Sequence, residues 1–121
     1  MSTVNKVFNI PPAKGAGAYK MLHVTFTNWG DTNGLYTPGG VEVTMPSYVK
    51  EVVAPVYAGV QSGGIVLEIT SWSGRAIKLI GRYLPDPTTY SGSTSALAEL
   101  VSGTAISGVY KVDVVAICEI K

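Results

Sequence analysis

One histidine, His23, and one cysteine, Cys118, are the residues of this 121-residue chain best suited to nucleophilic or metal chemistry. A structural zinc site needs four ligands, mostly Cys and His, and one of each falls short. Serines are plentiful, so a Ser–His–Asp set is formally available. However, no Gly-x-Ser-x-Gly turn exists to present a serine as a nucleophile. The eight Asp and Glu residues stand singly, and no spacing pairs two carboxylates for acid–base work. His23 falls in mid-strand, opposite the apolar face, and reads as a structural or surface residue. Cys118 lies in an apolar strand pattern and reads as a small core residue. As the only cysteine it cannot form an internal disulfide, which fits folding in a reducing compartment.

Two further stretches begin like binding motifs and then depart from them. Gly15-Ala16-Gly17-Ala18-Tyr19-Lys20 opens like a dinucleotide fingerprint, but its third glycine is missing and no strand precedes it. Asp31-Thr32-Asn33-Gly34 opens like a calcium loop. Leu35 then stands where a third oxygen ligand belongs, and no glutamate follows at the right distance, so the stretch reads as a turn. No catalytic residue, metal ligand or cofactor is expected. The chemistry left is recognition. Trp29, Tyr36, Trp72 and Tyr90 all fall in expected loops. Loop aromatics stack on sugar rings, anchor protein interfaces or cap the ends of a core, and the pattern alone leaves all three open.

The composition points the same way. Charged residues make up 14% of the chain against 46% apolar ones, whereas globular proteins average about 25% charged. So low a charge suggests that a partner covers part of the surface. The nine Lys and Arg residues are scattered, with no basic stripe for nucleic acid and nothing to attract anionic lipid. Apolar runs such as Val52–Ala58 and Val114–Cys118 are far shorter than the ~20 residues that span a bilayer. The N-terminal Met-Ser-Thr-Val-Asn-Lys lacks the apolar stretch of a signal peptide.

Strands must position these groups. Leu22, Val24 and Phe26 alternate with His23, Thr25 and Thr27, the period-2 mark of a half-buried strand. Turn residues follow at 28–34 and at Pro38-Gly39-Gly40. Val41, Val43 and Met45 make a second strand, ended by Pro46. The β-branched stretch 48–57 contains Pro55, which marks an edge or a bulge. Ile65, Leu67 and Ile69 form another strand, Ser71–Gly74 a hairpin loop, and Arg75–Tyr83 the returning strand. Residues 85–95 read as a long polar loop, and 95–101 as short extended structure. In the last strand Tyr110, Val112, Val114, Ala116, Cys118 and Ile120 form one apolar face. Val115 and Ile117 interrupt the other face, so its middle is expected to be buried on both sides.

The expected fold is all-β: one sandwich or partly closed antiparallel barrel of about six to eight strands over residues 19–121. Residues 1–18 read as an extended N-terminal arm. Pro11-Pro12 and Gly15-Ala16-Gly17 separate its Val4, Val7, Phe8 and Ile10 from the first strand. The arm is expected to order only against a neighbouring subunit. Val7, Phe8, Ile10, Trp29, Tyr36, Trp72 and Tyr90 are therefore the candidate partner interface.

Residues 19–120 also carry a family resemblance. Met21-Leu-His-Val-Thr-Phe-Thr-Asn28 is followed by a turn and Pro-Gly-Gly-Val-Glu-Val. Then come Gly-Gly-Ile-Val-Leu-Glu-Ile-Thr, Arg-Ala-Ile-Lys-Leu-Ile, and Ala96-Leu-Ala-Glu-Leu-Val-Ser-Gly-Thr104 before a Val-rich strand. This order resembles the small capsid decoration (cement) and head structural proteins of tailed double-stranded DNA bacteriophages. The N-terminal arm and the 85–95 loop depart from that pattern. The resemblance implies a non-enzymatic virion protein, made in the host cytoplasm and carried on the capsid surface. It would stabilise the shell by binding the major capsid protein across subunit joints. It would itself be a homo-oligomer, with a trimer favoured. The loop aromatics support an alternative, a carbohydrate-binding or head-fibre and tail adhesion module.

Overall fold

The computed structural model describes the backbone of residues 2–10 and, in full, residues 18–83 and 98–121. Among the described residues eight strands run β1 (Ser2–Ile10), β2 (Tyr19–Phe26), β3 (Val41–Thr44), β4 (Val49–Val60), β5 (Ile65–Ser73), β6 (Ala76–Tyr83), β7 (Ala98–Glu99) and β8 (Val112–Ile120). No helix is found among the described residues. One antiparallel sheet has the order β1-β2-β8-β4. The other has the order β3-β6-β5, with the short β7 paired to β6 as well. The two sheets pack face to face as a sandwich and do not close into a barrel.

Alternation decides which residues meet between the sheets. Leu22 and Val24 of β2, Ile77 and Leu79 of β6, and Val112, Val114, Ala116 and Cys118 of β8 are all fully buried. His23 and Thr25 lie on the opposite side of β2, as the sequence predicts. Pro55 sits on an edge strand, where its missing N–H does no harm. β4 slips register at three places, one of them between Pro55 and Tyr57.

The structure departs from the sequence reading in three places. Ser2–Ile10 is not an arm awaiting a neighbour: it is β1, antiparallel to β2 of its own chain from Ser2↔Phe26 to Ile10↔Tyr19. An edge strand needs only one partner, and β2 offers a full-length ladder. The Pro-Pro and Gly-Ala-Gly stretch lies outside the described residues. The hairpin turn expected at 71–74 falls later, because β5 continues through Trp72 and turns at Gly74 and Arg75. The outer face of β8 is half-buried at Val115 and Ile117 rather than fully covered.

The sandwich has one sealed side and one open side. β4 and β5 lie against each other, and the Val52 N–H donates to the Gly74 carbonyl at 2.7 Å across the seam. On the opposite side the sheets end in β1 and β3, and neither has a second strand beside it among the described residues. Part of the loop between β2 and β3 folds into this opening. Gly40, at φ 118°, turns the chain into β3. A Cβ there would stand 2.8 Å from the Lys78 Cγ and 3.0 Å from the Leu79 carbonyl, so the close approach of this turn to β6 also requires glycine.

Candidate interaction surface

The register of the β1-β2-β8-β4 sheet sets apolar residues side by side on its outer face. Met21 of β2 pairs with Ile117 of β8, and Ile117 pairs with Ala54 of β4. The backbone of Phe8 stands next to Met21. One step along, Val115 pairs with His23 on one side and with Tyr57 on the other. Met21, Ala54, Val115 and Ile117 are half-buried, and Tyr57 is exposed. Among the described residues, nothing in the chain packs a second layer against this face. Val53 and Val56, exposed at the register slips of β4, extend the apolar surface to the sheet edge.

A polar cluster closes one end of the face. Asp113 Oδ1 accepts the Thr25 hydroxyl at 2.5 Å and the Gln61 amide at 3.2 Å, and it lies 3.2 Å from His23 Nε2. Burial pushes the Asp113 carboxyl up. The donors Thr25, Gln61 and His23 outweigh that push and hold it below the usual carboxylate range. All three donors converge on one carboxylate oxygen. At the other end, Lys50 lies 3.8 Å from Glu119. Polar ends around an apolar middle are the usual anatomy of a protein-binding patch.

The predicted interface residues fall in different places. Trp29 and Tyr36 are 0% and 1% exposed. They are core residues, which corrects their assignment to a partner surface. Trp29 donates its indole N–H to the Val41 carbonyl at 3.0 Å and packs edge-on against both Tyr36 and Tyr110. Tyr36 donates to Glu99 Oε2 at 2.5 Å, and that oxygen also accepts the Gly39 N–H at 2.7 Å. The loop between β2 and β3 is thus pinned over the sandwich end by its aromatics, the core-capping role that the sequence left open. Trp72 is 47% exposed and remains available. Val7, Phe8 and Ile10 fall on β1, and Tyr90 lies outside the described residues.

The apolar row through Met21, Ile117 and Ala54 was missed as a candidate surface. The run Val-Val-Ala-Ile-Cys at 114–118 is its sequence signal, but an apolar residue on both faces in mid-strand fits burial on both sides equally well. Cys118 is fully buried, and burial pushes its thiol up to about 11, which keeps it protonated and inert. Asp31 accepts the backbone N–H groups of Asn33 and Leu35 at 2.8 and 3.0 Å and the Thr37 hydroxyl at 3.2 Å, the geometry of a turn. Among the described residues, no three His, Cys, Asp or Glu side chains come together as a metal site.

No family model, curated protein or solved structure matches this chain.

Proposed function

We propose that the chain is a non-enzymatic structural protein of a tailed-phage virion, of the capsid-decoration type. In this reading it attaches to the major capsid protein through the outer face of the β1-β2-β8-β4 sheet. The observation that carries it is the apolar row Met21–Ile117–Ala54, flanked by Val115 and Tyr57, on a sheet face with no covering layer among the described residues. Monomeric domains tend to place polar residues on such a face. A low overall charge and the sequence resemblance over residues 19–120 support the same reading. A protein that binds only the assembled shell stabilises that shell by mass action.

Co-sedimentation of the purified chain with heads of the encoding phage, stripped of this protein, tests the proposal. The wild type should pellet with the heads at a fixed ratio. Ile117→Lys should stay in the supernatant while keeping the wild-type circular dichroism spectrum. If the wild-type chain never pellets with heads, the reading fails. The half-exposed Trp72 favours a second reading, a glycan-binding adhesion module. A glycan array on which the wild type binds and Trp72→Ala does not would put that reading first.

A further inference from the structure

We infer that Asn33 is a site of spontaneous covalent modification that the folded turn around it holds shut. Its side-chain amide converts to aspartate and isoaspartate when the loop between β2 and β3 opens, and the isoaspartate then keeps that loop from closing. Asparagine is among the thermally labile residues, and the residue after it decides how labile. Of the four asparagines, Asn5, Asn9 and Asn28 are followed by Lys, Ile and Trp. Asn33 is followed by Gly34, which has no Cβ to crowd the approach of its own backbone nitrogen. Asn33 is also exposed.

The reaction needs only water. The Gly34 nitrogen gives up its proton to solvent and attacks Asn33 Cγ. A bond forms between the two, the Cγ–Nδ2 bond breaks, and the amide nitrogen takes up a proton and leaves as ammonia. The succinimide ring then consumes one water. Cleavage between the Gly34 nitrogen and Cγ gives aspartate, and cleavage between that nitrogen and the main-chain carbonyl carbon gives isoaspartate.

The folded turn blocks the first step. The Gly34 N–H already donates to the Asp31 carbonyl at 2.9 Å, and the Gly34 carbonyl accepts the Ile106 and Ser107 N–H groups at 3.0 and 3.1 Å. Asp31 Oδ1 holds the N–H groups of Asn33 and Leu35 at 2.8 and 3.0 Å. Gly34 has φ 77° and lies so near Gly30 that a Cβ on Gly30 would stand 2.9 Å from the Gly34 Cα. Attack on Cγ requires the nitrogen to leave Asp31 and the Asn33–Gly34 peptide to turn, so the segment must open locally first. Isoaspartate adds one carbon to the main chain in the middle of these bonds and one carboxylate beside Asp31. The same set of bonds cannot form again. Trp29 and Tyr36, which cap the core from either side of this segment, lose their support with it.

This inference does not depend on the capsid reading, and its test uses the purified chain alone. Wild type, Asp31→Ala and Asp31→Asn are held in mildly alkaline buffer, and the wild type also in urea that unfolds it. Peptide mapping by mass spectrometry follows amide-to-acid conversion at Asn33, and enzymatic methylation of isoaspartate separates the two products. The folded wild type should convert at least about tenfold more slowly than the unfolded chain, the effect of an opening that costs about 1.4 kcal/mol or more. Asp31→Ala removes the acceptor for two N–H groups and should narrow that gap while keeping the wild-type circular dichroism spectrum. Asp31→Asn keeps an acceptor oxygen and should not. Should Asp31→Ala fail to fold, wild type in urea below its unfolding transition takes its place, and conversion should quicken before the spectrum changes. The isoaspartate fraction, isolated by ion exchange, should unfold at lower urea than the unconverted protein. No conversion even in the unfolded chain, equal rates folded and unfolded, a rate indifferent to both Asp31→Ala and low urea, or an isoaspartate fraction as stable as the unconverted protein would each overturn the inference.

Discussion

Trp29 and Val41 are joined by a hydrogen bond from the indole N–H to a backbone carbonyl, 3.0 Å long and fully buried. It ties the loop after β2 to the first residue of β3, so the shape of the open side depends on it. Trp29→Phe removes this donor and leaves a cavity. We expect a loss of about 2–4 kcal/mol in urea denaturation, between a single buried hydrogen bond and a large-to-small core change. A variant as stable as the wild type would show that Trp29 does not anchor the loop.

Gly81 on β6 is buried, and no side chain fits there. A Cβ would stand 2.6 Å from Leu100 Cδ1 and 3.0 Å from Trp29 Cη2. Gly81→Val should therefore cost about 1–3 kcal/mol by overpacking. Adding Leu100→Ala should recover part of that loss. Thermal unfolding of the two variants side by side decides the matter; non-additive midpoints are the expected sign.

Asp113 makes stability depend on pH. Its folded pKa is depressed, so its stabilising contribution is present above the ordinary Asp value of ~3.9 and is lost as pH falls through the lower folded value. Denaturation midpoints should drop between about pH 5 and pH 2, and more shallowly in Asp113→Asn. Equal slopes in the two proteins would remove Asp113 as the cause.

Tyr36 acts at the other end of the scale. Burial first, and then the bond to Glu99, raise its hydroxyl above the usual tyrosine range. The unfolded chain loses this proton near pH ~10 while the folded chain keeps it, so folding weakens as pH rises past that point. Tyr36→Phe should cost about 1.5–3 kcal/mol at neutral pH, the usual worth of a hydrogen bond to a charged acceptor. Its alkaline decline should also be flatter, as followed by circular dichroism.

Much of the fold was legible because strand alternation is a two-residue signal. Leu22 and Val24, Ile77 and Leu79, and the inward residues of β8 were all identifiable from period 2 alone. Pro55 marked an edge strand for a reason intrinsic to its ring. The misread parts depend on tertiary context. Phe8 and Ile10 alternate too weakly with polar neighbours to reveal a strand, and β1 exists only because β2 offers it a ladder. Trp29 and Tyr36 sit among Gly, Asp and Asn, which correctly signalled a loop. No local pattern tells whether a loop's aromatics turn inward. The outer apolar row was invisible for a related reason. It joins Met21, Ile117 and Ala54, which are distant in sequence and become neighbours only through the strand order.

That strand order also sets a timetable. β8 sits between β2 and β4, and the bond from Thr25 to Asp113 spans 88 residues. During synthesis β2 and β4 leave the ribosome long before the strand that joins them. At about 5–20 residues per second, β2 waits several seconds with its inner face, Leu22, Val24 and Phe26, uncovered by its central neighbour. The β5–β6 hairpin can form during that wait, but the larger sheet cannot. Its assembly is a late, long-range event, and the half-made chain is where chaperones or unwanted strand pairing would act.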